Sequence, residues 1–300
     1  MEYYYVRGKI IIKKWKGSCT MMKMITNDSI EKFKNYLIDE EKASATQEKY
    51  MRDIKAFAKW ALDSKLDKRK VLDYKEFLVS KFAPASVNSV LSSLNSFFEF
   101  NHWYDMKVKM LKIQKQIFAQ KDKELSKAEY ERLLDAAKAK RNERLYLLMQ
   151  TICSSGIRVS ELQYITIEAI KIRKATINCK GKMRIVILPK ELCRMLTEYA
   201  KKQKIESGSV FVTKTGKPLD RSTIWKMMKM LCESARVSKC KVFPHNLRHL
   251  FARTFYTLQK DIVRLADILG HSSVNTTRIY TMENGEIHRR QIQKLGLLRL

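Results

Sequence analysis

The chain has 300 residues, with 60 Lys and Arg against 31 Asp and Glu, a net charge of +29 and a pI near 9.9. That length suits two compact units, and a 45% hydrophobic share with only 9 Gly and 4 Pro excludes a disordered or collagen-like chain and favours helices. The charge balance lies far from that of an ordinary metabolic enzyme and points to a polyanionic partner, although Lys-rich helix faces that are merely solvated would give the same totals.

Residues 1–26 carry Arg7, Lys9, Lys13, Lys14, Lys16 and Lys23 against Glu2 alone, with no clear helical pattern. They read either as a basic N-terminal arm that lies on DNA or as a start assigned too early, since Met21, Met22 and Met24 stand just before the first regular helix. Residues 27–105 form the first domain. Ile30, Phe33 and Leu37 make one apolar stripe and Tyr50, Ile54, Phe57 and Ala61 another, and after Pro84 come Val87, Leu91, Leu94 and Phe98 at helical spacing. With Val71 to Lys81 these predict a four-helix or five-helix unit ending near Trp103. Residues 106–124 hold six lysines and two acids and read as a basic linker, either solvated or crossing a phosphate backbone.

The second domain spans residues 125–300 and opens on a capping box, Ser126-Lys-Ala-Glu129. Helices follow to about Ser155. The β-formers of 175–179 and 183–188 flank Lys180-Gly181-Lys182 and predict a hairpin, with a further short strand at Val210 to Thr213 and a turn at Gly216. The expected fold is therefore mainly α with a small β-hairpin. Six scattered cysteines without a Cys-x-x-Cys read as reduced, mostly buried thiols of a cytoplasmic protein, and no zinc spacing occurs. No apolar run approaches ~20 residues, so neither export nor a membrane is expected.

Five pieces carry the chemistry: Gly156-Ile-Arg158-Val-Ser-Glu-Leu162, the hairpin Lys180, Pro244-His245-Asn-Leu-Arg248-His-Leu-Phe251, Leu269-Gly270-His271 and Thr277-Arg-Ile-Tyr280. Each alone is a weak signal, but together and in this order the sequence resembles the tyrosine recombinase (phage integrase) family, in its Xer-like and mobile-element branch. Running from Arg158 through Lys180, His245, Arg248 and His271 to Tyr280, the successive spacings are 22, 65, 3, 23 and 9 residues. The likeness covers residues 27 to 290. It implies a two-domain C-clamp, a helical SAM-like core-binding domain joined to a tyrosine recombinase catalytic domain, that cuts and rejoins duplex DNA through a 3′-phosphotyrosine and a Holliday junction.

The residue types suit that chemistry. Attack on a phosphodiester builds negative charge on its non-bridging oxygens, which fixed guanidinium forks such as Arg158 and Arg248 stabilise without a metal. Tyr280, a phenol of pKa about 10, would be the nucleophile and needs a proton acceptor. The resemblance and a mid-range imidazole pKa assign that base to His245. The resemblance also places Lys180 as the general acid for the leaving 5′-oxygen, and has His271 hydrogen-bond the phosphate. The turn looks one residue short of the family's pattern, so Lys182 stays an alternative acid. His249 reads as a packed or supporting residue, and Glu161 either orients Arg158 or is a helix N-terminal acid.

No cofactor or metal is implied. The expected partners are double-stranded DNA with inverted-repeat core sites, a tetramer of the chain on two sites and, in the family's manner, an accessory directionality factor; the expected place is the nucleoid. Ile287, Ile292, Leu295 and Leu298 would form a short tail that docks on a neighbouring protomer or folds on its own domain. Two other readings are a type IB topoisomerase-like strand transferase and a non-catalytic DNA-binding protein on a recombinase scaffold.

Overall fold

The computed structural model describes residues 3–6, 9–12, 23–61, 66–113, 121–179, 182–280 and 293–294. It divides into two compact units, Met1–Lys115 and Gln116–Leu300.

In the first unit, Tyr3–Val6 (β1) and Lys9–Ile12 (β2) pair antiparallel with Tyr3 opposite Ile12. Where the sequence suggested a basic arm without a regular pattern or a start assigned too early, the Tyr and Ile runs on either side of Gly8 supply β-formers for a ladder. Four helices follow: Asn27–Asp39 (α1), Ser44–Ala61 (α2), Lys68–Lys81 (α3) and Pro84–Phe100 (α4). Their starts are written locally. Thr26 Oγ1 accepts from the Ser29 N–H, an Asp67 carboxylate oxygen accepts from the Lys70 N–H, and Pro84 occupies the first turn of α4. The stripes meet in one core, where Phe33 stands edge-on to Phe97 with ring centroids 5.3 Å apart.

One sequence reading is corrected here. The start of the basic linker expected over residues 106–124 is packed as far as Leu111, because Met106 and Val108 are buried in the first core. Two asparagines on α4, seven residues apart and so on one face, act as a short ladder for it. Asn95 exchanges hydrogen bonds with Val108 N and O at 2.9 and 2.8 Å, and Asn88 does the same with Leu111 at 2.7 and 2.9 Å. Residues 114–120 of the expected linker lie outside the described residues.

The second unit begins with Lys127–Ala139 (α5), whose capping box is closed from both sides: Ser126 N donates to Glu129 Oε2 at 2.8 Å and Glu129 N to Ser126 Oγ at 3.1 Å. Glu143–Ser155 (α6) runs through the core and ends on Gly156 at φ +65°. After a 3₁₀ turn, Val159–Tyr164, come Ile167–Ile172 (α7) and the hairpin of Lys174–Cys179 (β3) and Lys182–Ile187 (β4), paired with Lys174 opposite Ile187. Ala175, Ile177 and Val186 face the core, whereas Met183, Ile185 and Ile187 are exposed. Lys190–Lys202 (α8), Arg221–Lys229 (α9), Pro244–Gln259 (α10), Ile262–Leu269 (α11) and Val274–Thr277 (α12) complete the unit.

The expected strand at Val210 to Thr213 is reduced to isolated bridges. Val210 N bonds to Ile165 O and Leu219 N to Phe211 O, so this stretch shares its hydrogen bonds between two partners instead of one ladder. Cys193 and Cys232 are buried, Cys153 is half-buried and Cys240 is exposed. Among the described residues, no helix is long and apolar enough to cross a membrane. Lys180 at the hairpin turn and the tail residues Ile287, Ile292, Leu295 and Leu298 lie outside the described residues; Lys182 is described only as the first residue of β4.

Candidate active site

Two helix ends and one helix start build the site. The left-handed Gly156 stops α6 and turns the chain, so that Arg158 emerges just beyond it. Pro244 fixes the first turn of α10, and the side chain of Asn246 anchors that turn by donating to Lys123 O at 2.8 Å and Lys241 O at 2.7 Å. His245 and Arg248, three residues apart, then share one helix face. A cavity of about 290 Å³ is lined by Arg158, His245 and Arg248, and also by Ser160, Arg221 and Trp225.

Arg248 is 1% exposed, and its guanidinium is held on several sides. Nη1 donates to Gly156 O, while Nη2 donates to Leu269 O at 2.7 Å and reaches His271 Nε2 at 3.0 Å. Its Nε is buried and, among the described residues, has no partner. Burial, with Arg158 nearby, lowers its pKa to about 10, so it stays protonated at neutral pH.

Because a guanidinium only donates, the Arg248 bond makes His271 Nε2 an acceptor. His271 Nδ1 then carries the proton and donates to Thr277 Oγ1 at 2.9 Å. Burial and the charges of Arg248, Arg158 and Arg184 push the His271 pKa down to about 4, in keeping with this neutral tautomer. Both ring nitrogens are thus engaged, and in this arrangement His271 holds Arg248.

Arg158 is half-buried and clamped by Glu161, which is 4% exposed. The Glu161 carboxylate accepts Arg158 Nη1 at 2.9 Å, the Arg158 N–H at 2.9 Å and Arg184 Nη2 at 2.5 Å. Burial opposes its charge, but the hydrogen bonds from Arg158 and the neighbouring Arg184 hold its carboxyl below the usual carboxylate range. Both readings of Glu161 hold: one carboxylate oxygen caps the start of the 3₁₀ turn by accepting the Arg158 N–H, and the other orients the Arg158 guanidinium.

Tyr280 sits behind this pocket. It is 4% exposed and packs with Ala252, Leu265 and Leu269. The His249 ring meets it edge-on at 4.8 Å and the His271 ring lies nearly parallel at 6.1 Å. His245 is exposed and reaches Tyr280 only through His249, whose ring centroid is 4.4 Å from its own. His249 is the packed residue of the pair. Desolvation, then His245 and Arg253, lowers it to about 4, and its Nε2 is buried without a partner. Partial desolvation and the charges of Arg248, Arg158 and Arg221 lower His245 as well, which leaves it neutral and able to accept a proton at neutral pH. Among the described residues no group of three or more His, Cys, Asp or Glu could hold a metal ion.

Sequence reasoning missed Arg184, Arg221 and Trp225, and it quoted Thr277 without the bond to His271 that gives it a role. Arg184 did leave a trace, since it takes an inward register position on β4, two residues from buried Val186, where an apolar residue is the norm. Arg221 and Trp225 left none, for one helical turn of α9 resembles any other.

Residues 123–286 match the Phage integrase family, and residues 30–104 match its N-terminal SAM-like domain. The chain belongs to the phage integrase family. Tyrosine recombinase XerA of Pyrococcus furiosus is 28% identical over 287 residues, covering 92% of this chain and 96% of its own. The fold matches XerH site-specific recombinase bound to difH substrate, with a TM-score of 0.66, 19% identity and coverage of 90% and 85%. It also matches a lambda integrase tetramer bound to a Holliday junction, with a TM-score of 0.67, 17% identity and coverage of 84% and 76%. Family membership makes the chain a tyrosine recombinase, an enzyme that breaks and rejoins DNA strands at specific sites.

Proposed function

We propose that the cavity lined by Arg158, His245 and Arg248 receives the scissile phosphate and that Tyr280 attacks it. The observation that carries this reading is the fixed guanidinium pair. Arg158 is held by Glu161 and Arg248 by Gly156 O, Leu269 O and His271, so both charges stand ready before the transition state forms.

In the step itself the Tyr280 phenolic oxygen bonds to phosphorus as the bond from phosphorus to the 5′-oxygen breaks. His245 takes the phenolic proton, and the leaving 5′-oxygen gains one from the hairpin lysine, Lys180 ahead of Lys182. A 5′-hydroxyl from a second strand reverses the step, so joining needs no ATP. Because Tyr280 is packed against His249, the attack includes movement of the 278–280 turn toward the cavity. His271 acts through Arg248.

The same reading extends to the assembly. Both units contact duplex DNA, with the basic linker between them in sequence, and four protomers act on two inverted-repeat sites; a lambda integrase tetramer bound to a Holliday junction is in keeping with such an assembly. A mobile-element role, with an accessory factor setting direction, fits the same chemistry. The test is a nicked duplex carrying the core site recovered from DNA that flanks the gene. The nick lets the resealing 5′-hydroxyl diffuse away, so an SDS-resistant protein–DNA adduct should accumulate with the wild-type chain and be absent with Tyr280→Phe. An adduct that persists in Tyr280→Phe sinks the assignment.

A further inference from the structure

Three consecutive carbonyls at the C-terminus of α11 each receive a different arginine. Ile268 O accepts Arg184 Nη1 at 2.9 Å, Leu269 O accepts Arg248 Nη2 at 2.7 Å and Gly270 O accepts Arg158 Nη2 at 3.3 Å. These are carbonyls of the helix's last turn and cap, where acceptors lack intrahelical partners and the helix dipole favours positive charge. Two of the three guanidiniums line the phosphate cavity. The third, Arg184, does not.

Arg184 belongs instead to β4, and its side chain is 15% exposed. It bridges Glu161 Oε2 at 2.5 Å and Ile268 O at 2.9 Å, contacts that span 23 and 84 residues of sequence. Its stem lies over Gly270, where an added Cβ would stand 2.3 Å from Arg184 Cδ, and Gly270 is at φ +62°. The glycine therefore serves both the left-handed cap and the passage of this one side chain. Of the hairpin's core-facing residues, Ala175, Ile177 and Val186 supply only apolar contacts, which fix depth but not position along the strand. A forked donor tied to two separate elements fixes that position.

We propose that Arg184 is a positioning residue that locks the β3–β4 hairpin to Glu161 and to the end of α11, and so sets where the hairpin turn stands relative to Arg158 and Arg248. The inference rests on the proposed role of a turn lysine as the acid for the 5′-oxygen. Glu161 is the shared joint, since one carboxylate holds a cavity arginine and the hairpin arginine together. Displacing the turn by about 1 Å would leave the phosphate-binding pair intact and slow only proton delivery, on the order of 10²-fold.

Arg184→Met tests this, because it keeps the stem above Gly270 and removes every donor. Arg184→Lys keeps the charge but cannot fork between a carboxylate and a carbonyl. Both variants should bind DNA as the wild type does and melt cooperatively. On a phosphodiester suicide substrate both should form adduct about 10²-fold more slowly. A substrate with sulfur at the 5′-bridging position should restore most of that rate, since a thiolate leaves without a proton, and it should restore Lys180→Ala in parallel. Hydrogen exchange at the amides of 174–187 should speed up in Arg184→Met, with α6 unchanged.

A wild-type rate in Arg184→Met overturns the proposal. An equal defect on both substrates overturns its hairpin part and assigns Arg184 to holding Arg158. If the sulfur substrate rescues neither Lys180→Ala nor Lys182→Ala, the lysine reading fails by itself. Hairpin exchange then decides the positioning claim, and unchanged exchange refutes it.

Discussion

Arg248 would be described by charge alone as a phosphate binder, yet its geometry makes replacement by lysine severe. The guanidinium joins Gly156 O, Leu269 O and His271 Nε2, and an ammonium cannot satisfy these directions and still face the cavity. Arg248→Lys and Arg158→Ala should each slow adduct formation by ~10²–10³ in single-turnover assays. Rates within a few-fold of wild type would show that charge suffices without the fork. The histidines behind the cavity give a second residue-scale expectation. Burial lowers His249 and His271 to about 4 from an ordinary value of 6.5, so the folded chain accommodates their neutral forms. Between those values the unfolded chain binds more protons than the folded one. Their contribution to stability is therefore complete above pH 6.5 and lost as pH falls toward 4. Urea midpoints measured from about pH 7 to about pH 5 should drop, and His249→Phe should flatten that drop. An unchanged slope in the variant would place the titration elsewhere.

Gly156 joins residue chemistry to the helices that carry it. It stands at φ +65°, an added Cβ would lie 2.5 Å from Phe251 Cδ1 on α10, and its carbonyl holds Arg248. Gly156→Ala should cost about 1–3 kcal/mol in denaturant unfolding and also depress the adduct rate, because the end of α6 must shift. A stable variant with normal activity would show that α10 yields easily. At this scale the sequence was informative wherever the cause was local. The stripes through Phe33, Phe57 and Phe98 follow a 3.6-residue period, and Ser126 with Glu129 closes its box within one turn. The order of Arg158, His245, Arg248, His271 and Tyr280 was legible because each lies in a short string of fixed spacing. What stayed hidden depends on tertiary closure. The Arg184 fork joins residues 23 and 84 positions away, and the packing of 106–111 hangs on Asn88 and Asn95, polar residues that a hydrophobic pattern passes over. Asn95→Ala should release that segment and create a new protease site between Met106 and Leu111, whereas the wild-type chain should first be cut beyond Leu111.

Across the whole molecule both units are positively charged, but unequally. Residues 116–300 hold 37 Lys and Arg against 17 Asp and Glu, whereas residues 1–115 hold 23 against 14. An excess present in both units is what two DNA-contacting surfaces would need, while charge that merely solvates helix faces neutralises no phosphate and releases no counterions on binding. The distinction is measurable, since each phosphate neutralised by a Lys or Arg releases condensed counterions and adds ~0.9 to the slope of log affinity against log salt. If both units grip the duplex, that slope should reach several units. It should fall by about one for each contacting lysine replaced on either unit. Affinity on a scrambled site should share most of the same slope, because backbone contacts carry no base information. A slope equivalent to one or two phosphates would mean that most of the +29 charge faces solvent when DNA is bound, and that only one unit holds the duplex.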